Sequence, residues 1–96
     1  MASIFEIDCE WDRDRLYVNL LGDFDEASAD ALVHALEENC HDASVVFIKA
    51  KGVRNLDASG CDAFKKNLHV LKDWCYRLVF VDQNSIRLKP EWLEFF

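Results

Sequence analysis

One proline and three glycines in 96 residues are too few for a glycine-rich or proline-rich linker between domains. No apolar run approaches the ~20 residues of a membrane-crossing helix, and residues 1–6 show no basic stretch ahead of an apolar one. Neither a span nor a secretory leader is therefore expected, and the chain reads as cytoplasmic. Four cysteines, Cys9, Cys40, Cys61 and Cys75, form no C-x-x-C pair, which fits reduced thiols better than a disulfide framework. Cys40-His41 is the one place where two metal-ligand types adjoin; a zinc site there would need distant help from Cys75 or His69, so no metal and no cofactor is expected. Basic residues are scarce as well. The net charge is −7, which excludes the basic footprint that nucleic acid or an anionic membrane surface requires.

The charge is unevenly spread. Up to Asp42 there are twelve acids against Arg13 and Arg15, whereas Lys49 to Lys89 holds nine basic residues and four acids. With 51% hydrophobic residues, residues 1–96 read as a single domain, large enough for one core but too small for a catalytic cleft between lobes. Phe5, Ile7, Cys9 and Trp11 alternate with Glu6, Asp8, Glu10 and Asp12, a period-two strand with one buried and one acidic face. Asp12 to Arg15 suits a hairpin into a second strand, Leu16 to Leu21. Asp25 is placed to cap a helix running to about Asn39, with Ala29, Leu32, Val33 and Leu36 on one face.

Val45 to Ile48 and Leu78 to Val81 are continuous apolar runs of strand length, predicted as strands covered on both sides, the second of them central. Between them Cys61, Phe64, Leu68, Leu71 and Cys75 recur at helical spacing. Right-handed crossovers then make strands two to four parallel, with strand one antiparallel and both helices on one face. The predicted class is α/β, a small mixed sheet with helices on one face. Pro90 to Phe96 reads as a short apolar helix or tail that closes the sheet or meets another chain.

Asn55 to Cys61 joins the third strand to the second helix. A helix start presents unpaired N–H groups and the positive end of the macrodipole. Asp57 or Ser59 is positioned to cap it, and Gly60 to let the backbone turn. Lys49, Lys51, Arg54, Lys65 and Lys66 flank the loop in sequence, which predicts either a local positive patch or an ordinary solvated face.

The order of elements together with Leu21-Gly22-Asp23-Phe24-Asp25, Val45-Val46-Phe47-Ile48, Gly52-Val53 and Leu56-Asp57-Ala58-Ser59-Gly60 resembles the STAS domain, the sulfate-transporter and anti-sigma-factor-antagonist family, over nearly the whole chain. The resemblance implies a STAS-like fold and a docking loop at Asp57, Ala58, Ser59 and Gly60, with Asp23, Asp25 and Lys65 as flanking contacts. Stand-alone relatives in that family typically act by partner switching, docking on an anti-sigma kinase until a serine in this loop is phosphorylated. Here Ala58 occupies the place of that serine and Ser59 is the remaining phosphorylation candidate. Either Ser59 is used instead, or the domain is always competent to bind, or the switch is lost; alanine cannot carry a phosphate, which favours the last two. The family's longer C-terminal helix is also replaced by the short Ser85 to Phe96.

No enzymatic constellation is legible. His34, His41 and His69 lie in or beside helices, no G-x-S-x-G elbow or glycine-rich phosphate loop occurs, and no base is placed near Ser59. Two binding roles follow from the resemblance: a signalling regulator whose partner is an anti-sigma factor, serine kinase or phosphatase-type protein, or a cytoplasmic accessory subunit of an ABC-type lipid transporter that contacts its ATPase.

Overall fold

The structure, a computed structural model, describes residues 4–39, 42–71 and 78–90. The alternating segment forms β1 (Phe5–Asp12), and the two-residue turn Arg13-Asp14 returns the chain into β2 (Arg15–Phe24). There follow α1 (Glu26–Asn39), β3 (Val45–Leu56), α2 (Ala58–Asn67) with a 3-10 turn over Leu68–Leu71, β4 (Leu78–Phe80) and α3 (Gln83–Ile86). The sheet order is β1-β2-β3-β4; β1 is antiparallel to β2, and β2, β3 and β4 are parallel. This is the predicted small mixed α/β sheet.

Strand periodicity builds the core. Leu16, Val18 and Leu20 of β2 and Val46, Ile48 and Ala50 of β3 face one way and are buried, meeting Leu32 and Leu36 of α1 and Phe64 of α2. Each large side chain so placed contributes roughly 1.5–3 kcal/mol relative to exposure. Leu88, just beyond α3, belongs to the same cluster.

No described residue covers the other face, and three expectations change. Phe47 is half-buried, while Val79 and Val81 are 38% and 44% exposed. β4 lies at the edge of the described sheet, not at its centre. The apolar residues on this side are held instead by cross-strand contacts: the Tyr17 and Phe47 rings stack at 4.9 Å and 13°, and Lys49 Nζ lies 5.1 Å over the Tyr17 ring. A continuous apolar run thus satisfied an edge strand as well as a central one. On the helical side of β1, Phe5 and Ile7 reach the core but Cys9 and Trp11 are exposed, because the helical layer stops short of the hairpin end.

Two further differences arise from backbone geometry. Helix α2 begins at Ala58, before Gly60, and gives way to the 3-10 turn at Leu68; Leu68 still seals the core, while Cys75 lies outside the described residues. Gly60 is therefore not a turn residue. A Cβ on it would sit 2.8–2.9 Å from the Asp25 backbone, so the glycine allows the first turn of α2 to rest on the entry to α1.

The second is α3, which the sequence reading did not anticipate. Asp82 accepts from Ser85 N at 2.8 Å and Ser85 Oγ accepts from Asp82 N at 3.0 Å, a reciprocal capping box. Asp82 also accepts from Ala50 N at 3.0 Å, and Asn84 Nδ2 donates to Ala50 O at 3.1 Å. These side chains take over the pairing of β3 where β4 has ended, next to a register shift that leaves Ala50 without a strand partner in β2. Among the described residues no buried side-chain polar atom is left unpaired. From the predicted C-terminal segment Pro90 is buried; Trp92, Leu93, Phe95 and Phe96 lie outside the described residues.

Two substitutions test this framework. Gly60→Ala is expected to destabilise the fold by about 1–3 kcal/mol through overpacking on Asp25, read as a lower midpoint in urea unfolding. Asp82→Ala removes a cap and the acceptor for Ala50 N, with an expected loss of about 1–3 kcal/mol, and Asp82→Asn should recover part of it in the same assay.

Candidate functional site

Parallel strands end side by side, and the helices that follow them begin there. Phe24 and Leu56, the last residues of β2 and β3, are paired, and Asp57 N donates to Phe24 O at 3.0 Å. The starts of α1 and α2 are thereby brought together outside the carboxyl ends of the strands, where open α/β sheets place their ligand crevices. The result is a shallow depression of about 410 Å³ lined by Asp23, Phe24, Asp25, Asn55, Leu56 and Asp57.

Each carboxylate has a local task. Asp25 caps α1: its Oδ1 accepts from Ser28 N at 2.9 Å and from Ser28 Oγ at 3.0 Å. Buried Ser28 also shares its hydroxyl with Asp23 O at 3.0 Å. Asp23 accepts from Asn55 Nδ2 at 3.2 Å and forms an ion pair with Arg54 at 3.3 Å. Arg54 is mostly exposed, so this pair contributes about 0–1 kcal/mol and serves mainly to orient the carboxylate. Asp57 occupies the N-cap position of α2 with extended backbone, φ −71° and ψ 134°, yet its side chain makes no capping bond. It accepts instead from Ser59 Oγ at 2.9 Å.

The predicted loop residues are thus brought together. Asp57, Ala58 and Ser59 are all exposed and Gly60 is buried beneath them. Asp23 and Asp25 join the site through the depression. Lys65 does not: it follows two turns later on α2, near enough to Cys61 to act on its thiol.

The described residues form no positive patch at this site. Lys49 and Lys51 line a different hollow, on the uncovered side of the sheet, and Arg54 is paired with Asp23. Of the two expectations the solvated face fits these lysines, since β3 continues to Leu56 and its extended backbone, about 3.3 Å per residue, carries the loop away from them. The surroundings of the loop are dominated by Asp23, Asp25 and Asp57 and disfavour a bound anion. Among the described residues no group of three metal-ligating side chains converges. Sequence reasoning also missed the acceptor beside Ser59, the carboxylate two residues away, although an Asp-x-Ser spacing at a helix start is a local signal for it.

Cys61, immediately after the loop, is buried, and burial pushes its thiol up in pKa, with Arg87 and Lys65 opposing. Cys9 is exposed in the sequence of β1, and partial burial followed by the charge of Asp8 raises its pKa too.

No protein-family model matches this chain, and no curated protein matches it. Among solved structures, the crystal structure of Mglu is similar with a TM-score of 0.67 at 21% sequence identity, covering 78% of this chain. This chain spans 19% of the Mglu chain. The likeness is one of fold.

Both thiols are the neutral form over a wider pH range than free cysteine. Alkylation of Cys9 at neutral pH should therefore be slower than that of a free thiol and should keep rising at pH values where free cysteine has levelled off. Cys61 should react only on unfolding. Peptide-resolved mass spectrometry after iodoacetamide pulses at stepped pH reads both.

Proposed function

We propose that the chain is a non-enzymatic, cytoplasmic protein-binding module of the STAS type, an anti-sigma-factor-antagonist-like regulator that docks on its partner without the family's phosphorylation switch. The observation that carries this reading is the joint exposure of Asp57, Ala58 and Ser59 at the start of α2, with Ala58 offering no hydroxyl at the switch position. The likeness of fold to Mglu supports the architecture this reading needs.

The chemistry of the neighbourhood supports a docking role over a switch. Ser59 has its hydroxyl engaged by the Asp57 carboxylate at 2.9 Å. A phosphate on Ser59 would set a charge of about −1.5 to −2 against that carboxylate, with Asp23 and Asp25 close by in the same depression. Small neutral side chains at Ala58 and Ser59 allow close approach of a partner to the start of α2. A serine kinase or phosphatase-type regulator is the class of partner in this reading.

Titration calorimetry against that partner tests it. Ser59→Asp is expected to weaken binding by more than ~1 kcal/mol by forcing a desolvated charge into the contact; unchanged affinity removes the loop from the interface. Ala58→Ser should convert the domain into a substrate of a kinase partner, read by intact mass. A stable stoichiometric complex with a transporter ATPase and permease would replace the signalling role with that of an accessory subunit.

A further inference from the structure

We infer that the face of the sheet that no described residue covers is a pairing surface for a second copy of this chain. The register places Glu6, Asp8, Glu10 and Asp12 of β1 level with Leu21, Asn19, Tyr17 and Arg15 of β2. Asn19 and Tyr17 are in turn level with Lys49 and Phe47 of β3. All of these lie on the side opposite the buried residues Leu16, Val18, Val46 and Ile48. On this side Leu21, Val79 and Val81 are 40%, 38% and 44% exposed, flanking the stacked Tyr17 and Phe47 rings. Asp8, Asn19, Leu21, Lys49, Lys51 and Val81 contribute to a hollow of about 470 Å³ between them.

Charge crosses this face in one direction. Four carboxylates form the β1 flank, and the amines of Lys49 and Lys51 stand two strands away on β3. Such a face is complementary to itself. A two-fold axis running along β2 between two copies lays β1 of one over β3 of the other, and β2 over β2. Because Asp8, Asn19 and Lys49 share one level of the register, this axis sets Asp8 against Lys49 of the second copy, and symmetry supplies the reciprocal pair. Glu6 is level with Leu21, itself level with Gly52, so it falls beside Lys51 of the second copy. An axis perpendicular to the strands would instead stack the acidic rows on each other.

The last described residues do not compete for the face. Leu88 is in the core on the helical side, and Pro90 after it is buried. Pairing through the sheet also leaves Asp57, Ala58 and Ser59 accessible, since they are exposed at the start of α2 beyond the strand ends.

Sedimentation equilibrium on the full chain across a concentration series at low salt tests the inference. The wild type should show a reversible dimer that weakens as salt screens the flanks. Asp8→Lys and Lys49→Glu should each weaken self-association by about tenfold or more, since every reversal occurs twice in the dimer. An equimolar mixture of the two variants should restore a mixed dimer, because each copy then carries the sign that the other requires. That rescue also excludes misfolding as the cause of the losses. A wild type that stays monomeric into the millimolar range overturns the inference. So does a dimer indifferent to both reversals, or a mixture of folded variants that does not associate. Capture of a different protein by the monomer, abolished by Lys49→Glu, would assign the face to another occupant and equally overturn it.

Discussion

The contact of Gly60 with the Asp25 backbone is the constraint around which the described molecule is arranged. Two parallel strands ending together must send their chains into two helices at the same edge, and those helices have to start almost in contact. A side chain at position 60 would hold them apart, since a Cβ would lie 2.8–2.9 Å from Asp25. With glycine there, the first turn of α2 settles on the α1 cap and Cys61 and Phe64 reach the core. Asp57, Ala58 and Ser59 are then turned outward as a consequence of the packing beneath them. The loop at the start of α2 and the stability of the fold consequently share one contact.

Polar side chains do the joining where backbone pairing runs out. Asp25 and Ser28 close the start of α1, and Asp82 with Asn84 extends β3 beyond the three residues of β4. Each replaces a missing main-chain partner with a side-chain one, as buried N–H and C=O groups require. The acids of this chain therefore divide into structural acceptors, such as Asp25 and Asp82, and surface charge, such as the row along β1. The net charge alone does not separate them.

The uncovered sheet face changes the meaning of the basic residues in the second half. In sequence they flank the loop as a patch or a solvated face; among the described residues Arg54 is the one that meets Asp23 there. Lys49 and Lys51 belong to the sheet surface with Tyr17 and Phe47. The site is consequently acidic, and the sheet surface is where opposite charges lie side by side. The proposed docking at the strand ends and the proposed pairing through the sheet would use separate surfaces.

The order of elements, the antiparallel hairpin, the parallel crossovers, the cap at Asp25 and the position of the loop are local properties. Periods of two and 3.6 residues, and short polar breaks, encode them within a few neighbouring residues. The sequence determined those by itself. It did not determine which faces of the apolar strands are covered, because Val45 to Ile48 reads alike under one helical layer or between two. Nor did it determine that Gly60 is a packing residue or that Asp82 reaches across to Ala50. Those depend on distances between segments far apart in the chain, and tertiary structure alone sets them.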